Sequence, residues 1–136
     1  PGRAAFLSWI FFVSNTLHPT VMALIHPERV AGDAAASDVQ RAALEKLQSQ
    51  ANRLDALVNG QAPGWLSTKS PGALGYYLGI LLRWAMYLPE DEGMRFDLRP
   101  YPALRAVLAS HEGSAAALRV AAADSLGPTP FTDPKV

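Results

Sequence analysis

Polar residues almost vanish between positions 73 and 88. The run ALGYYLGILLRWAMYL carries one charge, Arg83, in sixteen positions, and no side of a helical wheel drawn on it is polar. A helix that is apolar all round is one that other helices cover. Length selects helix over strand, because buried strands run to about 4–8 residues. At about 1.5 Å per residue the run reaches about 24 Å, short of a hydrocarbon core of about 30 Å. The pattern predicts the central, buried helix of an all-α domain.

Residues 3–25 form a second apolar block, RAAFLSWIFFVSNTLHPTVMALI, with Ser8, Asn15 and Thr16 on roughly one side. Pro19 cannot donate to the carbonyl of Asn15 and its ring crowds that carbonyl, so a kink or break is expected there. His26-Pro27 ends the helix, since the residue before a proline is pushed out of the α region. After a loop over 27–36, with the charged residues Glu28, Arg29 and Asp33, Ser37 or Asp38 is expected to cap a long amphipathic helix. Val39, Ala43, Leu44, Leu47, Ala51, Leu54 and Leu57 with Val58 recur at three and four and give that helix one core stripe, with Asn59-Gly60 as its stop.

A turn-rich connector follows over 61–71, in which Trp65-Leu66 is expected to tuck onto the core. Pro89 breaks the central helix, and 90–100 is a charged loop whose acidic run, Glu90, Asp91 and Glu92, reads as solvated. Pro102 suits the first turn of a short helix to about His111. Ser114 caps a last helix beyond Gly113. The tail over 127–136, rich in proline, is expected to be extended and disordered. The expectation is one domain over 1–136: a bundle of about five helices around the central one, with no strand.

Twelve basic and twelve acidic residues cancel, so no global field draws nucleic acid or an anionic membrane. The lack of cysteine removes disulfides, thiolate metal sites and thiol nucleophiles, and suits a reducing, cytoplasmic setting. Nothing at the N-terminus reads as a signal peptide. The chain begins at Pro1 rather than Met, which is compatible with its being a piece of a longer protein. A membrane hairpin built from the two apolar blocks is the rival; Ser8, Ser14, Asn15, Thr16, His18 and Pro19 in the first block argue against it.

Three stretches together resemble a known family. RAAFLSWIFFVSNTLHPT resembles the pattern R-A-x-x-x-x-W-L-x-F-x-x-x-x-L-H, YYLGILLRWAMYL resembles D-x-Y-L-x-x-x-L-R-W-A, and YPALRAVLASHEGSAAALRVAAADSL resembles Y-P-x-L-x-x-Y-x-x-R-x-x-x-R-P-A-V with drift in its second half. These are, in order, segments of the C-terminal helical domain of glutathione S-transferases, most closely of the bacterial beta class. The resemblance covers nearly the whole chain. It implies a cytosolic homodimer in which a separate N-terminal thioredoxin-like domain binds glutathione and activates its thiol. No candidate for that domain lies in this chain, so glutathione is expected as co-substrate of a parent protein, and this chain alone should bind no cofactor and be catalytically silent.

The chain departs from the family pattern at two places. The family opens its central helix with a capping box, Ser or Thr followed three residues later by Asp. Aligned on Tyr77-Leu78, those positions are Gly72 and Gly75, and Ser70-Pro71 is the expected substitute cap. Restoring the box with Gly72→Ser and Gly75→Asp is expected to add about 1–2 kcal/mol. The second departure is Phe11, which stands where beta-class enzymes often place an Asn that reaches glutathione in the partner subunit, a bond Phe11 cannot make.

The resemblance places His18 at the substrate cavity and Trp84 at its border, with Phe11, Phe12 and Asn15 lining the site for an apolar electrophile. On spacing alone His18 is a histidine satisfying a helix-end carbonyl freed by Pro19, and Trp84 an ordinary core residue. Arg83 reads as structural, its burial requiring a carboxylate or a helix end, with Asp91, Glu92 or the acidic end of the tail as candidates. No metal site is expected, because His18 and His26 are eight apart with Pro19 between and no H-E-x-x-H occurs. Apolar faces left by the missing domain should be exposed near the first helix and the tail. The alternative function is a non-catalytic interaction module of the same fold.

Overall fold

The computed structural model describes residues 2–69, 71–87 and 92–135. The break expected at Leu88-Pro89, the cap at Ser70 and the side chains of the acidic run 90–92 lie outside the described residues. The chain is all-α, with no strand among the described residues. The first apolar block is one continuous helix in three parts: α1 (Gly2–Phe12), a π-helical turn (Val13–Leu17) and α2 (His18–Ile25). A one-turn α3 (Glu28–Ala31) and a 3-10 turn (Asp33–Ala35) occupy the expected loop. Then come α4 (Ala36–Gln61), α5 (Ala73–Tyr87), a 3-10 turn (Glu92–Met94), α6 (Pro102–Glu112) and α7 (Ala115–Ala123).

The kink expected at Pro19 takes the form of the π turn. The N–H of His18 donates to the carbonyl of Val13, five residues back, which widens the helix just where the proline ring needs room. The Thr20 hydroxyl donates to the Thr16 carbonyl at 2.8 Å and receives the Gln50 side-chain amide of α4 at 2.9 Å. By length and composition the helix Gly2–Ile25 is apolar enough to cross a bilayer. Its second half is instead core: Val13, Leu17, Val21 and Leu24 are fully buried where α2 packs on α4 and α5.

The amphipathic helix α4 starts earlier than expected, at Ala36 with Ala35 in the cap position, and neither Ser37 nor Asp38 is its cap. The preceding 3-10 turn leads the chain directly into it, and Asp38 instead sits in the first turn and pairs with Arg41 at 2.9 Å. It also runs past Asn59-Gly60, stopping at Ala62 (φ −49°, ψ 111°), the extended residue that Pro63 demands. Of the expected stripe, Ala43, Leu44, Leu47, Ala51 and Leu54 are buried.

Three contacts join helix ends to side chains distant in sequence. Asp55 of α4 accepts the N–H of Leu104 at 2.8 Å and so caps α6. Ser114 caps α7 as expected, accepting from the N–H of Ala117 at 3.2 Å. At the start of α5, His111 of α6 accepts the N–H of Gly72 on Nε2 at 3.0 Å, while Nδ1 donates to the Val107 carbonyl at 2.8 Å. The carbonyl can only accept, which fixes the neutral tautomer with the proton on Nδ1. The imidazole lies where the third residue of a capping box would put its side chain: a Cβ on Gly75 would overlap its Nε2. The expected gain from Gly75→Asp is therefore corrected; the site is already filled, from another helix.

The central helix is not covered all round. Leu74, Leu78, Leu81, Leu82 and Ala85 are buried, but Ile80 and Trp84 are 43% and 39% exposed, so one stripe of α5 is open. The tail is docked rather than free. Glu112 accepts the N–H groups of Phe131 and Thr132 at 3.0 and 3.1 Å and the Thr132 hydroxyl at 2.6 Å, and Phe131 lies over Gly79, where a Cβ would come within 2.8 Å of its ring. Arg83 donates to the Pro130 carbonyl at 3.2 Å and lies 5.4 Å from the centroid of Tyr87; the side chains of the expected partners Asp91 and Glu92 lie outside the described residues. Leu66 is buried and Trp65 packs edge-on to Phe6 of α1.

Candidate functional site

His18 opens α2 immediately after the π turn, half-buried and facing α5. Its Nδ1 lies 2.7 Å from the hydroxyl of Tyr77, with the two rings nearly perpendicular at 82°. Trp84 stands two turns along α5 from Tyr77, on the same face, and its ring centroid is 6.3 Å from that of His18. Nε2 of His18 has no hydrogen-bond partner among the described residues, and it is not among the buried unsatisfied atoms. One ring nitrogen is thus tied to a phenol and the other is open.

The imidazole lines a groove of about 400 Å³ along the α1–α2 helix, with Ser14, Pro19, Met22 and Ala23 beside it and His26 and Arg29 at one end. Glu28 lies 3.6 Å from both His26 and Arg29 and offsets the Arg29 charge. With Tyr77 donating to Nδ1, the proton of a neutral His18 sits on Nε2, ready to be given to a charge developing in the groove. The phenol can donate or accept, so the contact holds the orientation of the ring, and Tyr77 sets this tautomer where it is the donor.

Of the five residues expected at the site, the fold brings two together, His18 and Trp84. Asn15 lies on a neighbouring flank, in an adjoining groove of about 500 Å³ with Thr16, Thr20 and Lys46, which shares Pro19, Ala23 and Val30 with the His18 groove. Phe12 turns toward α4, edge-on to Trp9 at 5.3 Å and under the Arg53 guanidinium at 4.8 Å. Phe11 is 60% exposed and touches neither. Sequence reasoning used Tyr77 only to align the central helix and missed its contact; the signal was its spacing of seven from Trp84. Among the described residues no three His, Asp or Glu side chains come together as a metal set. The resolved proton-affinity shifts lie elsewhere: the Arg99 side chain, bonded to Asp97, holds that carboxyl below its usual range, and burial pushes the Tyr101 phenol up, helped by the Asp97 and Asp55 charges.

Compared with protein-family models, with curated proteins and with solved structures, the chain matches none of them.

Proposed function

We propose that this chain is the apolar co-substrate half of a glutathione S-transferase-like protein, with the fold of that family's C-terminal domain. The observation that supports this most is the contact of His18, Tyr77 and Trp84, with one imidazole nitrogen open to a groove. In the parent protein a thioredoxin-like domain would hold glutathione and activate its thiol. The thiolate sulfur would attack an electrophilic carbon of an apolar molecule seated beside Trp84. His18, oriented by Tyr77, would give its Nε2 proton to the departing or charge-gaining atom. The proposed setting is cytoplasmic and the proposed assembly a homodimer, for which Leu7 and Phe11 on α1 supply exposed apolar surface. The test is glutathione-dependent conjugation of a chloronitrobenzene by the native protein from its source cells, with and without His18→Ala.

One observation favours the second reading, a non-catalytic docking module: α1 has no buried residue, and Phe11 is its most exposed large apolar side chain. A native protein that shows no conjugation and co-purifies with a stoichiometric partner lost in Phe11→Ser would carry that reading instead.

A further inference from the structure

The last turn of α6 holds two separate pieces of chain with two adjacent side chains. His111 and Glu112 are both buried, and each accepts backbone N–H groups from outside its own helix. Nε2 of His111 takes the N–H of Gly72, at the start of α5, at 3.0 Å. Glu112 takes the N–H groups of Phe131 and Thr132 on Oε2, at 3.0 and 3.1 Å, and the Thr132 hydroxyl on Oε1 at 2.6 Å. A helix C-terminus carries partial negative charge and gives a carboxylate no support. The donors of the tail hold it instead, and among the described residues no cation pairs with Glu112.

A proton added to either side chain weakens its grip. A doubly protonated imidazole donates from both nitrogens. Nδ1 already donates to the Val107 carbonyl at 2.8 Å, so the second proton goes on Nε2, donor against donor with the Gly72 N–H. Gly75, against which the ring lies, has no side chain to accept it, and the Tyr76 hydroxyl is engaged with Ser114 Oγ at 2.7 Å. On Glu112, a proton on Oε1 can be met by the Thr132 hydroxyl turning from donor to acceptor. Phe131 and Thr132 are then left with an uncharged oxygen, and bonds to an ionised acceptor are about twice as strong as those to a neutral one. The neighbouring elements bring Tyr76, edge-on to the His111 ring at 5.1 Å, and Arg83, bonded to the Pro130 carbonyl. Phenol and guanidinium groups keep one form where imidazole and carboxyl groups titrate. Lys69 of the connector, Asp124 beyond α7 and Asp133 of the tail are exposed.

We propose that this turn is an acid-opened clasp: a proton on His111 frees the start of α5 at Gly72, and a proton on Glu112 loosens the tail. The sign runs one way. Both grips need the neutral imidazole and the ionised carboxylate, so they are complete at high pH and are lost as pH falls. Ser110, which has no charge to change, donates to the Thr68 carbonyl at 2.7 Å and keeps the connector tethered, so the opening at Gly72 is local. Release of Phe131 bares α5 at Gly79. The proposal does not rest on the transferase reading, because it uses neither glutathione nor His18.

The test follows the chain from about pH 8 to about pH 4, the span in which imidazole and carboxyl groups titrate. Ring nitrogen shifts report the second proton on His111. Amide-exchange protection, corrected for the direct effect of pH on exchange, reports the two grips. Gly72 should lose protection at least about tenfold across the titration of the ring, and Phe131 and Thr132 in a step of their own, while α4 stays protected. His111→Gln offers an acceptor oxygen that takes no proton and should remove the Gly72 step. Glu112→Gln should leave exchange at Phe131 and Thr132 fast at every pH, with no step. Protection of Gly72 that falls only together with that of α4 is global acid unfolding and overturns the proposal. A Gly72 step that persists in His111→Gln overturns it too. Where that variant fails to fold the unaltered chain decides, because a Gly72 step with the ring still neutral is equally fatal. Protection of Phe131 and Thr132 that ignores pH overturns the part given to Glu112.

Discussion

Gly75 of the central helix and His111 of α6 occupy one space: the glycine has no side chain because the imidazole is already there. From that position His111 accepts the N–H of Gly72, the bond that a capping box would make from within the helix. The cap has moved from α5 to α6. It now ties the start of the central helix to a neighbouring element.

This relationship reverses the effect expected of restoring the box. Gly75→Ala should lower stability by about 1–3 kcal/mol, because a fully buried ring must shift, although alanine is the better helix former. His111→Ala should also destabilise, and the double variant should be more stable than the sum of the two predicts, by about 0.5–3 kcal/mol. Urea midpoints of the four proteins check this; strict additivity would mean that the two positions do not compete for space.

The cap of α6 is equally remote in sequence. Asp55→Ala should cost about 0.5–2 kcal/mol through the lost bond to the Leu104 N–H. Asp55→Asn, which keeps an acceptor oxygen, should recover most of it. Thermal melts of the two variants read the difference directly.

Docking of the tail depends on one carboxylate. Glu112→Gln keeps only one of the two carboxylate oxygens that hold Phe131 and Thr132, and Gly79→Ala would push the Phe131 ring outward. Each should speed amide exchange at residues 131 and 132 while leaving α4 protected. Unchanged exchange in both would mean that the tail is held by something else.

Much of the fold was legible because periodicity reports on one helix at a time. The stripe from Ala43 to Leu54, the buried run from Leu74 to Ala85, the Ser114 cap and the perturbation at Pro19 are all local patterns. What escaped lies between elements. No spacing in the sequence announces that His111 meets Gly75, that Asp55 meets Leu104, or that Glu112 meets Phe131. The open stripe at Ile80 and Trp84 escaped for the opposite reason: an all-apolar wheel cannot say which side its neighbours leave bare. At the site, His18 and Trp84 were named from the sequence and meet, while Asn15 and Phe12 were named and face elsewhere. Adjacent positions on a helix point about 100° apart, so residues that cluster in the sequence of α1 are spread around its circumference.

Alkaline pH offers a separate check on the core. The Tyr101 phenol is raised, chiefly by burial, so the folded state resists forming the tyrosinate. Its contribution is complete below the unfolded value of about 10 and is lost as pH rises above it. Tyr101→Phe, which cannot ionise, should therefore lose less stability than the parent chain between about pH 9 and 11. Melting temperatures across that range give the comparison. Asp97 shifts the other way, so its contribution, screened at this exposed pair, holds above its unfolded value and fades as pH falls.

The role given to Tyr77 is also testable. Tyr77→Phe removes the bond to His18 Nδ1 and should leave the imidazole a mixture of tautomers. Nitrogen chemical shifts of the His18 ring report this, and the same variant should shift the pH profile of conjugation in the native protein. A ring that keeps one tautomer in Tyr77→Phe would mean that Tyr77 does not set it.

The most direct measurement is the initial rate of glutathione conjugation to a chloronitrobenzene by the native protein, beside its His18→Ala variant with an unchanged melting temperature. A glutathione-dependent rate that falls by about a hundredfold or more in the variant is the predicted result, the scale of a lost general acid. A native protein with no such rate, or one whose rate is indifferent to His18, would contradict the reading of this groove as a transferase site.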